Sequence, residues 1–199
     1  PNKLKDWIQA FRLRTLPLAL ACIGMGGIIA YVENGFQSTI FLLTLLTAFL
    51  LQILSNLAND YGDSMNGADS VDRVGPSRAV QTGKISAAAM KRAMILFAVL
   101  SFSSGLGLLY LSINTQQEFF IFLGLGIVCV IAAITYTVGK NPYGYAGLGD
   151  ISVLLFFGLV SVAGTYYLQM HSLGWNIILP AISCGAFAVG VLKVNNIRD

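Results

Sequence analysis

TIFLLTLLTAFLLQILSNLANDYGD, residues 39–63, runs without a charge from Thr39 to Asn59 and then meets Asp60 and Asp63. A helix needs about 20 apolar residues to cross the hydrocarbon core of a bilayer, and this stretch supplies them. Its inner end carries amides and carboxylates, which are costly beside lipid unless they are satisfied. The stretch therefore predicts a transmembrane helix with a polar site at one end.

The rest of the chain agrees with that beginning. Of 199 residues, 56% are hydrophobic and only 11% charged, with a mean hydropathy of +0.73. A water-soluble domain carries roughly 25% charged residues, so the surplus apolar surface must face lipid. Uncharged stretches run from Thr15 to Val32, Asn34 to Asn59, Ala93 to Gln117, Phe119 to Gly139 and Ile151 to Leu192. The last is long enough for two crossings and divides at the polar break Gln169 to Gly174. The expectation is an all-α, polytopic transmembrane helix bundle in one domain, with spans near 15–33, 39–59, 93–114, 119–139, 151–169 and 175–193. Glycines are frequent within the spans and let membrane helices approach closely.

Charge placement gives orientation. Lys3, Lys5, Arg12 and Arg14 precede the first span, and Arg73, Arg78, Lys84, Lys91 and Arg92 lie between the second and third. Lys140 follows the fourth, and Lys193 and Arg198 close the sixth. Every basic residue thus falls on one side, while the opposite loops offer Glu33, Glu118 and His171. The positive-inside rule places the N-terminus, Asp199 and the polar helix ends in the cytoplasm, which implies a cell inner membrane. The opening segment, Leu4 to Leu13, mixes Trp7, Ile8 and Phe11 with basic residues and suits an interfacial helix.

Several chemistries are disfavoured. The net charge of +3 is explained by topology and forms no basic reading surface, so no nucleic-acid partner is expected. Cys22, Cys129 and Cys184 lie inside spans, where cysteine behaves as a small apolar residue. His171 lies on the outer side, far from the other polar residues, which argues against a nucleophile–histidine site.

The long inner loop carries the chemistry. Asp60, Asp63, Asp69 and Asp72 continue a run of amides that begins at Asn56 and Asn59. At 100° per residue, Asn56, Asn59, Asp60 and Asp63 share an arc of roughly 100° on one helix face. Hard oxygen ligands of this kind select Mg²⁺, which takes one or two carboxylates and completes its shell with water and phosphate. Arg73, Arg78, Lys84, Lys91 and Arg92 follow directly, and a metal-bridged diphosphate needs both signs of charge. A second polar cluster, TYTVGKNPYGYAGLGD from Thr135, places Tyr136 and Lys140 one helical turn apart and ends on Asp150, which also suits a helix N-cap. The third cluster, Lys193, Asn195, Asn196, Arg198 and Asp199, repeats the Asn-to-Asp spacing of Asn56 and Asp60. Two such helix ends on one side are expected to clamp one metal-diphosphate.

LQILSNLANDYGDSMNGADSVDRVGP from Leu51, ITYTVGKNPYGYAGLGDISV from Ile134 and the terminal VNNIRD resemble the UbiA superfamily of intramembrane prenyltransferases. The resemblance runs the whole length and is closest to the 1,4-dihydroxy-2-naphthoate polyprenyltransferase branch. It implies that Asn59, Asp60 and Asp63 form the first Asp-rich motif for Mg²⁺ and diphosphate. Gly67 stands where the wider family often has a further Asp, and this sequence has Asp69 instead. Asp199 matches the first member of the second motif. About nine helices are implied, so roughly three, and the far half of the site, are expected beyond this sequence, as Pro1 in place of Met also suggests.

The resemblance further implies transfer of a polyprenyl group from polyprenyl diphosphate to an aromatic acid, 1,4-dihydroxy-2-naphthoate, with loss of CO₂ and diphosphate, giving demethylmenaquinone. Asp60, Asp63 and Asp199 are then the catalytic and metal carboxylates, with Asn59 beside them. Asn56, Asp69, Arg73, Arg78, Lys140 and Asn195 are expected to contact diphosphate or substrate, and Tyr136 to face the allylic cation through its ring. Other superfamily members use 4-hydroxybenzoate or homogentisate. A transporter or cation channel is a rival from another class, but such proteins place their sites near the bilayer midplane on interrupted helices, whereas these carboxylates lie at helix ends.

Overall fold

The computed structural model describes residues 3–67 and 78–198, the side chain of Arg198 excepted. A short helix, α1 (Lys3–Phe11), leads through the 3₁₀ turn Leu13–Thr15 into α2 (Leu16–Val32). There follow α3 (Ser38–Asn66), α4 (Ala87–Ser112), α5 (Gln116–Thr135), α6 (Gly144–Met170) and α7 (Trp175–Arg198). Among the described residues, six helices, α2 to α7, are long and apolar enough to cross a membrane, with α1 running into the first. The chain is all-α and polytopic.

Helix ends follow local chemistry. Ser86 caps α4 by accepting from Ala89 N at 3.2 Å, and Thr115 caps α5 by accepting from Glu118 N at 3.2 Å. Pro17 occupies the first turn of α2, where its missing N–H costs nothing. Several helices run past the expected spans, with α4 starting at Ala87 rather than near 93 and α7 continuing to Arg198. The second reaches Asn66 and ends at Gly67 in the left-handed region (φ 63°), so Asp60 and Asp63 are helical residues. In the fifth, a turn from Gly144 is broken by Gly147 (φ 80°) before the regular helix starts at Gly149, and a π-helical stretch, Leu154–Ala163, follows, in which Ser161 donates to the carbonyl of Phe156 five residues back at 2.7 Å.

In the bundle α3 packs on α4, α5, α2 and the outer part of α6, while α2 packs on α6 and α7. Lipid-facing surfaces carry exposed apolar side chains such as Ile28, Leu42, Val99, Ile121 and Phe187, and α5 has no buried residue. Inside, Leu54, Leu57 and Met90 are fully buried between α3 and α4.

Glycine sets the closest crossings. A Cβ on Gly158 would lie 2.6 Å from the carbonyl of Ala181 and 3.1 Å from Cα of Gly185, and one on Gly26 would lie 2.4 Å from the carbonyl of Val162. Helix α6 is thereby seated tightly against both α7 and α2. Replacing Gly158 by Leu is expected to cost the overpacking penalty of about 1–3 kcal/mol. It should lower the unfolding temperature in detergent, whereas Gly124→Ala, which adds its methyl to open space, should leave that temperature unchanged.

Candidate functional site

The last three turns of α3 bring its polar residues onto one face, and each side chain has a different partner. Asn56, buried at 3% exposure, donates through Nδ2 to the carbonyl of Phe11 and to Thr15 Oγ1, both at 2.9 Å. It ties α1 to α3. Thr137, in the loop after α5, donates to the carbonyl of Ala58 at 3.0 Å and lies 3.0 Å from Asn59 Oδ1. Asn66 Nδ2 donates to the carbonyl of Thr137 at 2.9 Å. Gly62 admits this loop: a Cβ there would lie 2.4 Å from the carbonyl of Thr137.

The two carboxylates differ in their partners. Asp60, 2% exposed, accepts from two successive backbone amides, Ala79 N at 2.9 Å and Val80 N at 3.0 Å, one on each oxygen. Asp63, 6% exposed, pairs with the guanidinium of Arg78 and accepts from the hydroxyl of Tyr145 at 2.5 Å. Arg78 is itself buried. Two inner loops, 78–86 and 136–148, therefore close over one helix end. Of the residues that hold them there, Thr137, Tyr145 and the Ala79–Val80 amides were missed by sequence reasoning. Tyr145 lies within a quoted motif, but nothing local says that its hydroxyl reaches back 82 positions.

Tyr136 is half-buried, its ring against Gly144 and Gly149 and edge-on to Tyr143 at 5.3 Å. Burial raises its phenol pKa above the ordinary value, aided by Tyr143 and by the charges of Asp150 and Asp63. Tyr143 is raised by burial, against the opposing bond to Ser152 Oγ at 3.2 Å. Asp150 forms an ion pair with Lys193 at 2.5 Å, joining α6 to α7. Lys140 is exposed and makes no ion pair among the described residues. Asn195 is half-buried on α7, whose main neighbours are α6 and α2. Asp69, Arg73 and Asp199 lie outside the described residues.

An apolar cavity of about 150 Å³ lies between α3, α4, α5 and α6, lined among others by Leu51, Leu109, Phe122, Val130 and Leu168. The hydroxyls in its wall are turned back on their own helices: Thr44 donates to Ile40 O, Thr47 to Leu43 O and Thr165 to Ser161 O. A pocket of this volume has room for a benzene-sized group. At 1.5 Å per residue, Asp60 lies about 14 Å along α3 from Leu51. Polar helix end and apolar cavity thus share one helix.

The model of the UbiA prenyltransferase family matches residues 19–199. Over 200 residues the chain is 53% identical to a 1,4-dihydroxy-2-naphthoate octaprenyltransferase of Haemophilus influenzae, covering all of this chain and 65% of that protein. It is 52% identical to the protein of that name from Escherichia coli, covering all of this chain and 64% of that one. A third, from Mycobacterium tuberculosis, is 37% identical over 98% of this chain and 64% of its own length. The chain spans slightly under two thirds of the length of these curated relatives. No solved structure matches it.

Asn56→Ala is expected to release α1 from α3 by removing the donor to Phe11 and Thr15. The loss, about 1–3 kcal/mol for buried acceptors left unmet, should appear as faster proteolysis of the N-terminal segment while the rest of the bundle stays protected.

Proposed function

This chain belongs to the UbiA prenyltransferase family, and we propose that it transfers a polyprenyl group from polyprenyl diphosphate to 1,4-dihydroxy-2-naphthoate. Carbon dioxide and diphosphate leave, and the product is demethylmenaquinone in its reduced, quinol form. The observation that carries this reading is identity of 53% and 52% over the full chain to proteins that bear that acceptor in their names. We assign the protein to a cell inner membrane with its polar helix ends in the cytoplasm, on the strength of the one-sided basic residues.

The donor set suits Mg²⁺. Among the described residues no group of three or more His, Cys, Asp or Glu side chains gathers as a metal cage. Two carboxylates and nearby amides gather instead, matching an ion that keeps waters and substrate phosphates in its shell. The ion is assigned to the end of α3 that carries Asn59, Asp60 and Asp63, with Asp199, the residue that follows α7 in the sequence, as a further proposed ligand. When bound it would neutralise charge on the diphosphate leaving group.

The chain's own groups account for the remaining requirements. Arg78 supplies a planar fork for phosphate oxygens, and its present hold on Asp63 keeps that charge compensated until an anion arrives. Arg73 and Lys140 are further cations for the diphosphate or the acceptor carboxylate, and Asp69 and Asn195 polar contacts beside them. Tyr136, a neutral phenol whose pKa burial raises further, offers its ring face to an allylic cation. The apolar cavity between α3 and α6 has room for about one isoprene unit and is a candidate for the start of the tail. The electron-rich ring attacks the allylic carbon as the C–O bond breaks, and loss of the ring carboxyl as CO₂ restores aromaticity. No protein nucleophile is required.

Membranes carrying the full-length protein should convert labelled polyprenyl diphosphate and 1,4-dihydroxy-2-naphthoate to prenylated product and release labelled CO₂ from the carboxyl. Chelation should abolish turnover and Mg²⁺ restore it. Asp63→Ala should lower kcat/KM by about a hundredfold or more, the size of losing one member of a buried charge pair. Product formed with 4-hydroxybenzoate alone would overturn the acceptor assignment.

A further inference from the structure

We propose that Asp60 is a positioning residue that acts through Arg78, and that Asp63 is the carboxylate of α3 that turns to the metal; the inference rests on the metal–diphosphate reading above. The distinction comes from what each carboxylate holds. Asp60 gives one oxygen to Ala79 N and the other to Val80 N, at 2.9 and 3.0 Å. Two backbone donors on one carboxylate satisfy its charge without a cation. Both are fixed to the main chain, so Asp60 cannot turn away without lifting the turn that carries them.

That turn is a bonded unit. Thr82 donates to the carbonyl of Arg78 through N at 3.1 Å and Oγ1 at 2.8 Å, Gly83 N donates to Val80 O at 3.1 Å, and Ile85 N to Ala79 O at 3.1 Å. Gly83 takes the left-handed conformation the turn needs (φ 70°). Ala79 and Ile85 are each 5% exposed and pack with Leu54, Leu57 and Ala58 of α3. Anchored at residues 79 and 80 and packed through 85, the segment sets where Arg78 begins. Asp60 thereby aims a guanidinium it does not touch.

Asp63 stands in the opposite position. Arg78 and Tyr145, which it meets through side chains, can leave by rotation about single bonds. An arriving metal-bridged diphosphate can draw Arg78 to its outer oxygens, where the guanidinium exchanges one oxyanion for another. The same exchange takes the guanidinium off Asp63 and turns that carboxylate toward the cation. Asp60 stays on the turn throughout and keeps the base of Arg78 in place.

Two substitutions separate this role from metal ligation in the full-length protein purified in detergent. Asp60→Asn leaves one acceptor where two amides converge, and Ala79→Pro removes one amide while every carboxylate remains. Both are expected to raise KM for polyprenyl diphosphate about tenfold or more, the size of a lost hydrogen bond to a charged group, with kcat changed far less. Both should add little in an Arg78→Lys background, because all three act through one guanidinium. Trypsin cleavage after the exposed Lys84 should accelerate in both. Mn²⁺ binding in the presence of inorganic diphosphate, read by electron paramagnetic resonance without turnover, should stay within about twofold of the parent in Asp60→Asn and fall about tenfold or more in Asp63→Asn. Equal loss of Mn²⁺ binding in both Asn variants, with Ala79→Pro like the parent, would overturn the proposal. If Asp60→Asn does not fold, Ala79→Pro decides through KM and trypsin alone. If the parent transfers no prenyl group, the functional reading fails, while the trypsin and Mn²⁺ comparisons still judge Asp60.

Discussion

Two carboxylates buried at the end of an apolar helix need compensation, and much of the basic end of this protein is arranged to provide it. An ionised group moved out of water without a partner costs many kcal/mol, and beside a bilayer the penalty cannot be met by solvent. Asp60 and Asp63 are 2% and 6% exposed. Backbone amides from one loop, a guanidinium from the same loop and a phenol from another meet them. The loops are ordered against α3 because the acids are there, and the acids are tolerable because the loops close over them. Such mutual dependence makes a preorganised anion site: its cation and its carboxylate are already within reach when the ligand arrives.

The same end of α3 explains how much was legible in the sequence. Runs of uncharged residues located six helices because lipid imposes a length and a polarity on each. Helix-face arithmetic placed Asn56, Asn59, Asp60 and Asp63 together because the 3.6-residue period is local. Roles were not local. Asn56 has the type and spacing of a ligand-binding amide, yet its donors are spent on Phe11 and Thr15, more than forty positions earlier. Asp150 has the look of a simple N-cap, yet it meets Lys193 across a helix pair. Asp60 and Asp63 are the same residue type one turn apart, and only the chain at 78–80 and 145 makes them different.

Helix limits were misjudged for a related reason. Hydropathy falls at Asn59, so the second span was expected to stop there, but hydrogen bonding along the helix does not depend on side-chain polarity. Asn59, Asp60, Asp63 and Asn66 all find partners while remaining helical, and α3 ends only where Gly67 turns left-handed. Gly62, beyond the expected end of that span, is a helical residue whose missing side chain lets the Thr137 segment approach. At the start of α6 the turn Gly144–Leu148 is broken by Gly147 (φ 80°), and the regular helix begins at Gly149, close to where the apolar run starts after Asp150.

The opposite end of the bundle carries carboxylates under a milder constraint, because Glu33 is exposed and Glu118 half-buried. Glu33 and Glu118 are held by the hydroxyls of Tyr166 and Tyr167, neighbours on α6, with Asn176 also on Glu33. Consecutive helical residues point about 100° apart, so one helix braces both α2 and α5 without bending. The stacked pair of Tyr167 and Phe122, 5.3 Å between ring centres, lies where α5 and α6 flank the apolar cavity. Carboxylates here receive hydroxyls and an amide rather than a guanidinium, which suits struts between helices. At the basic end a full positive charge sits on Asp63, and that pair can be exchanged for an anion. Among the described residues Asp60 and Asp63 are buried, whereas Glu33 is exposed and Glu118 half-buried with His171 4.0 Å away, so the need for a buried guanidinium arises at the basic end and marks that end for chemistry.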